Sequence, residues 1–369
     1  MFDLLVKNAQ DLKGNPLEIA VKSGKIVDLG EHLQGKAKEV FDAEGAYVSA
    51  GWIDSHVHCF EKMDLYYDYP DEIGVATGVT TVIDAGSSGE ANIKDFYEIA
   101  KKAKTNVLAL LNISKHGIVT QDELSDLSLV DEAKNMERIK ELPEFIVGIK
   151  ARMSKTVIGQ NGIVPLQMAK KLQSKVNLPL MVHIGSAPPK LEDVLQELEA
   201  GDIVTHCFNG KENGILATSD EIKDFALEAY RRGIIFDIGH GTDSFNFKVA
   251  QVAREEEVSA QSISTDIYIR NRKNGPVYDL ATTLSKLLKV GYSLEELISA
   301  VTTAPAKNFN LANKGSLEVG KDGDLTFFKL EDKQAELVDS NGNIQQSEQL
   351  FSPVACTVAG ILYHEREKK

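Results

Sequence analysis

What the chain lacks narrows its class first. Three cysteines, one tryptophan and ten prolines are spread over 369 residues. Cys59, Cys207 and Cys356 are odd in number and far apart, which excludes a disulfide framework and fits reduced thiols in a cytoplasmic protein. No apolar run approaches the ~20 residues of a membrane-spanning helix, so no membrane partner is expected. The opening Met1-Phe2-Asp3-Leu4-Leu5-Val6-Lys7 carries an early acid and no long apolar stretch, unlike a secretory signal. Excess positive charge is missing as well. Lys and Arg total 41 against 55 Asp and Glu, a net charge of −14. Nucleic acid is therefore disfavoured as a partner, because phosphate binding draws on clustered cations that release counterions.

What is present fits a folded protein. Hydrophobic residues make up 43% and charged residues 26% of the chain, so disorder is not expected. The length suits one (β/α)₈ barrel with a smaller satellite, or two medium domains. Near the start, Ile19-Ala20-Val21-Lys22 and Lys25-Ile26-Val27-Asp28 flank Ser23-Gly24, the signature of a tight hairpin. Near the end, Asp324 to Phe328, Ala335 to Val338 and Ala359 to Tyr363 read as short strands, with a turn at Asn341-Gly342. Neither end holds enough apolar residues for its own core, so residues 1–50 and 312–369 are expected to combine in a small β-sandwich.

Between the ends, β-type apolar runs alternate with helical stretches, the pattern of a parallel sheet. The runs are Tyr47 to Ile53, Thr80 to Asp84, Val107 to Leu111, Phe145 to Ile149, Leu180 to Val182, Ile203 to Thr205, Ile234 to Ile238 and Ser262 to Thr265. Stretches such as Leu191 to Leu198 space their apolar residues as a helix does. Eight such units close into a TIM-type α/β barrel over residues 51–311, with functional groups at the ends of the strands.

The polar residues that follow these runs are orderly. Run one ends in His56-Val57-His58, run four in Lys150, run five in His183, run six in His206 and run eight in Asp266. Because side chains alternate along a strand, His56 and His58 face the same way. Two imidazoles held close together, with no acid beside each, are explained by a shared metal ion. An ammonium cannot ligate a cation, so Lys150 would have to be neutral or chemically changed, and a neutral amine takes up carbon dioxide as a carbamate. With His56, His58 and Asp266 on one ion, His183 and His206 on another and the carbamate between, every strand-end group has a role. Two metals so placed turn water into hydroxide near neutral pH, and Asp266 can pass the proton to a leaving group. The implied chemistry is hydrolysis of an acyl bond.

This constellation resembles the amidohydrolase superfamily, and within it the dihydroorotase-like binuclear branch. The resemblance covers almost the whole chain, including the stretch from Thr303-Ala304-Pro305-Ala306 to Gly323-Asp324-Leu325, similar to that family's return into its flanking sandwich. It implies two zinc ions bridged by Lys150 as N6-carboxylysine, the four histidines as ligands, and Asp266 as ligand and catalytic proton shuttle. Dihydroorotases carry an arginine two residues after the second histidine, where Phe60 stands here. The chain looks closer to a deacetylase-type subgroup of esterases and amidases, some of them labelled dihydroorotase or adenine deaminase. That implies a small carboxylate-bearing substrate with an acyl or acetyl group. Relatives usually assemble as dimers or larger forms, and a homo-oligomer stays open.

Arg152, two residues beyond Lys150, and His240, between two glycines after the seventh run, are candidate substrate contacts. Arg270 and Arg272 follow Asp266 in what reads as a solvated loop. Cys59 and Cys207 should point away from the ligand histidines and pack. Three other functions compete. An adenine deaminase of the single-metal class would carry a glutamate three residues after the strand-five histidine, where Ser186 stands. A dihydroorotase or cyclic amidase meets the Phe60 departure. A structural relative would have lost its ligands, and this chain keeps them.

Overall fold

The computed structural model describes residues 1–364. Seven of the eight apolar runs are strands of one parallel sheet. They are β1 (Trp52–Val57), β2 (Val79–Ala85), β3 (Asn106–Asn112), β4 (Ile146–Met153), β5 (Leu180–Ile184), β6 (Ile203–Thr205) and β7 (Ile235–Asp237), each paired with the next in the chain. Alternation divides their apolar side chains. Val82, Ile149 and Val182 join the large cluster beneath the covering helices, whereas Ile53, Ile83, Leu110, Met181 and Ile203 form a separate cluster with Phe309. Met181 and His183 share a parity on β5, so the strand-end histidine lies on the same side as this smaller cluster.

The eighth run departs from expectation. Ser262 to Thr265 is not a regular strand; Ser262 makes a single parallel bridge with Asp237 on β7, and Ile267 makes one with Val57 on β1. Asp266 takes a left-handed φ of 50°, which interrupts the ladder between the two bridges.

The first run also differs, because it is two strands. Tyr47–Ala50 belongs to the sheet of the chain ends, and β1 begins at Trp52. Gly51 marks the crossing, where a β-carbon would lie 2.1 Å from Thr80 Oγ1. The chain ends combine in one hydrogen-bonded eight-stranded sheet. Tyr47–Ala50 joins the two ends by pairing with Leu325–Phe328 on one side and Gln10 on the other. The Ser23-Gly24 hairpin is present, with φ of 52° and 75° at its two turn residues. At the other end, the runs around Asp324 and Ala335 are one strand, Leu325–Val338, paired with Ile344–Val358. That partner strand escaped the sequence reading because Gln345-Gln346-Ser347-Glu348-Gln349 carries no apolar alternation.

Trp52 ties the two sheets together. It is fully buried, its indole Nε1 donates to Ser49 Oγ at 3.2 Å, and its ring lies 5.3 Å from Phe328 and 6.1 Å from Phe351. Trp52→Ala removes the largest side chain at that junction and should lower unfolding free energy by about 3–5 kcal/mol. Urea denaturation followed by circular dichroism measures it, and a change below about 1 kcal/mol would mean that the junction collapses around the cavity.

Candidate active site

The strand ends bring the expected polar groups together. His56 and His58 have ring centroids 5.5 Å apart, His56 and His206 5.1 Å, and His183 and His206 4.5 Å. Lys150 Nζ lies 3.2 Å from His56 Nε2 and 3.4 Å from Met181 Sδ. Asp266 Oδ1 approaches His58 Nε2 to 3.1 Å and His56 Nε2 to 3.4 Å. Asp266 does not cap the following helix Ile269–Asn274, whose first cap is Tyr268. A cavity of about 550 Å³ opens over these groups and is lined by His56, His58, Lys150, His183 and Asp266.

Burial sets the charges. Desolvation lowers the Lys150 amine from 10.5 to about 7, and it drives His56 and His183 well below the usual imidazole range. His206 falls to about 4 for the same reason. Burial alone would raise Asp266, but the facing His58 and the nearby His206 and Lys150 outweigh it and keep its carboxyl below the ordinary value. The site therefore favours neutral nitrogens around one carboxylate.

Ring nitrogens turned inward carry lone pairs. His206 Nδ1 donates to the Gly239 carbonyl at 2.6 Å, so its Nε2 is a bare acceptor, and that atom is buried with no hydrogen-bond partner. His56 Nδ1 meets Thr205 Oγ1 at 2.8 Å, and this hydroxyl donates to Asp237 at 2.7 Å. The hydroxyl has one proton, so His56 Nδ1 must supply the other and Nε2 is left bare. One nitrogen each from His56 and His58 and an oxygen of Asp266 fall within 4.8 Å of one another, a donor set that fits a divalent cation. An unpartnered nitrogen on His206 beside this set supports the same fit.

The surrounding wall is basic. Arg152, Lys155, Lys211 and Arg270 line the cavity, against Asp243 and Asp266 as its acids. In a chain of net charge −14 this is a local reversal of sign. Arg152 is buried, with Nη2 on Gln121 at 3.2 Å and Nη1 3.4 Å from Glu123. Arg270 reaches the cavity, whereas Arg272 is held away by a bidentate pair with Asp68, both bonds 2.7 Å. Tyr66 and Tyr268 were missed in the sequence; they sit on the rim with rings 4.9 Å apart. Nothing in their flanking residues marks them, since loop conformation decides which side chains turn inward. Cys59 and Cys207 pack in the large apolar cluster, facing away from the site.

His240 is not brought to the cavity. It is fully buried, stacks on Phe245 at 4.8 Å, donates Nδ1 to Gly241 and receives Lys286 Nζ on Nε2 at 2.8 Å. The expected substrate contact has both ring nitrogens taken within the protein. Its neighbours Thr242, Asp243 and Ser244 line the cavity instead. That rim segment is pinned by the tip of the C-terminal hairpin, where Ser340 Oγ donates to Gly241 O at 3.1 Å and Asp339 accepts the Phe247 N–H at 3.0 Å.

With the geometry in place, comparison with known proteins is direct. Residues 47–360 match the model of the Amidohydrolase family. The chain belongs to the amidohydrolase family. A protein of Enterococcus faecalis named Deacetylase is 60% identical over 98% of this chain and 99% of its own length. A crystal structure of an adenine deaminase superposes with a TM-score of 0.98 at 59% identity, covering 99% of this chain and 100% of that one. A crystal structure of a dihydroorotase gives 0.92 at 37% identity, over 98% and 97%. This amidohydrolase is a hydrolytic enzyme. No helix among the described residues is long and apolar enough to cross a membrane.

Lys286 supplies a test of how the rim is held. Burial lowers its amine from 10.5 to about 7, so between those values the unfolded chain holds a proton that the folded one lacks, and stability rises with pH. In Lys286→Met this contribution, up to about 1.4 kcal/mol per pH unit, should vanish from the stability profile above neutral pH. Urea denaturation at about pH 7.5 and 9.5 measures the slope; equal slopes in both proteins would show that the amine titrates normally.

Proposed function

We propose that this amidohydrolase hydrolyses an acyl bond, amide or ester, of a small carboxylate-bearing molecule, with an acetyl group as the favoured acyl. In this reading His56, His58, His183, His206, Asp266 and the carbamate of Lys150 would hold two zinc ions. One observation carries the proposal: neutral ring nitrogens, a buried amine and a carboxylate converge at one end of a parallel sheet beneath a basic cavity. Residues 51–311 form the hydrolase unit, whose barrel is closed at 262–267 by the single bridges to β7 and β1, and residues 1–50 and 312–369, of which 365–369 lie outside the described residues, form the companion unit. Small molecules, rather than nucleic acid or a membrane, are its partners in the cytoplasm.

Divalent cations at this position supply Lewis acidity and make water a nucleophile near neutral pH. The protein's own groups do the rest. Asp266, ionised and 20% exposed at the side chain, can take a proton from the attacking water and return it to the leaving nitrogen or oxygen. Water then adds across the acyl bond, giving a carboxylic acid and an amine or alcohol. Arg152, Lys211 and Arg270 present charge-assisted donors to the substrate carboxylate and turn its acyl carbon toward the histidines. Desolvation keeps Lys150 uncharged above neutral pH, the form that takes up carbon dioxide.

Adenine deamination is the second reading, favoured by the likeness to the solved adenine deaminase. Against it, Ser186 lines the cavity where the single-metal deaminases carry a proton-shuttling glutamate, and a hydroxyl does not serve as a base at neutral pH. Dihydroorotase activity is disfavoured by Phe60, which is buried against Phe96 with rings 4.9 Å apart and does not line the cavity.

The test is a screen of zinc-loaded protein against N-acetyl amino acids, O-acetyl hydroxy acids, cyclic ureides and adenine, with acetate and ammonia both measured. Acetate without ammonia is expected; ammonia from adenine alone would replace this reading with the deaminase. Lys150→Ala should lose metal and turnover together. Asp266→Asn should keep much of its metal while kcat falls by about 10²–10⁴-fold. Full activity in either variant contradicts the assignment.

A further inference from the structure

Three aspartates lie inside the strands and are removed from water: Asp54 on β1, Asp84 on β2 and Asp237 on β7, each 2% exposed or less. An isolated buried carboxylate is costly, so each calls for a compensating partner. None is in the cavity, yet each meets a Ser or Thr that in turn touches a strand-end group. Asp237 Oδ2 accepts the Thr205 hydroxyl at 2.7 Å, and Thr205 Oγ1 meets His56 Nδ1 at 2.8 Å. Asp84 Oδ1 accepts the Ser87 backbone N–H at 2.7 Å, and the Asp84 carboxyl also engages the Ser87 hydroxyl, which meets His58 Nδ1 at 2.8 Å. Asp54 accepts both the Thr265 N–H at 3.1 Å and its hydroxyl at 2.5 Å. The Thr265 oxygen accepts the Ile267 N–H at 3.1 Å, so the backbone is held on both sides of Asp266.

We infer that Asp54, Asp84 and Asp237 are positioning residues. Through Thr265, Ser87 and Thr205 respectively, they set the orientation of Asp266 and the tautomers of His58 and His56 for cation binding. The inference rests on the metal-site reading above. The hydroxyl matters chemically. A carboxylate directly on Nδ1 would fix the same tautomer, and it would also stabilise the protonated ring that competes with a cation. An interposed hydroxyl transmits only the direction of the hydrogen bond, so Nδ1 keeps its proton and Nε2 stays bare.

The test is zinc affinity of the full-length protein, by competition with a chromogenic chelator, in Thr205→Val, Thr205→Ser and Ser87→Ala. Thermal melting of the metal-free proteins serves as a check on folding. Thr205→Val and Ser87→Ala should each weaken zinc binding by about 10–100-fold, while Thr205→Ser stays within a few-fold of the parent. Nitrogen-15 NMR of the histidines should show Nδ1 protonated at His56 in the parent and a mixture of tautomers in Thr205→Val. If Thr205→Val does not fold, Ser87→Ala decides the matter. Parental affinity and an unchanged tautomer in the folded variants would overturn the inference alone, whereas a parent that binds no zinc would overturn the metal-site reading with it.

Discussion

Everything in this molecule answers to one constraint: several lone pairs must face each other where water is scarce. His206 Nε2 is buried without a partner, His56 Nε2 is left bare by its hydroxyl contact, and the Asp266 carboxylate points at both members of the first histidine pair. Such a cluster is unfavourable on its own and becomes favourable around positive charge. The desolvated Lys150 amine beside it belongs to the same problem, since a full ammonium there would be held among groups that cannot all pair with it.

The fold makes that concentration possible by bringing groups from well-separated segments of the chain to one end of the parallel sheet. No single segment could hold a nitrogen from residue 56, an amine from 150 and a carboxylate from 266 within a few ångströms; parallel strands ending together do so by construction. The terminal sheet serves the same end from outside. Trp52 anchors β1 against Phe328 and Phe351, and the hairpin tip at Asp339 and Ser340 fixes the rim segment that carries Asp243. Basic residues then gather at the mouth of an otherwise acidic protein, which favours an anionic ligand through local field and not through net charge.

Much of this was legible in the sequence, for physical reasons. Seven short runs of branched apolar residues have no alternative but buried strands, and the polar residue ending a run inherits the strand's parity. His56, His58, Lys150, His183, His206 and Asp266 were found that way. Other features were hidden because they depend on loop path or on long-range pairing. His240 follows the correct strand, yet Lys286 from a distant helix claims its free nitrogen. Tyr66 reaches the cavity only through loop conformation, and Arg270 from the first turn of the helix Ile269–Asn274, a stretch that reads as a loop in the sequence. The polar strand Ile344–Val358 is set by its partner and not by its own alternation. One signal was available and unread: an aspartate inside an apolar run, as at Asp54, Asp84 and Asp237, marks a buried carboxylate that needs a task.

The most direct measurement is diffraction from zinc-loaded crystals with anomalous scattering collected at the zinc edge. The account predicts two anomalous peaks per chain, one beside His56, His58 and Asp266 and one beside His183 and His206, with added density for a carbamate on Lys150 between them. A fully loaded site with an unmodified amine at Lys150, or no peak among these side chains, would contradict it.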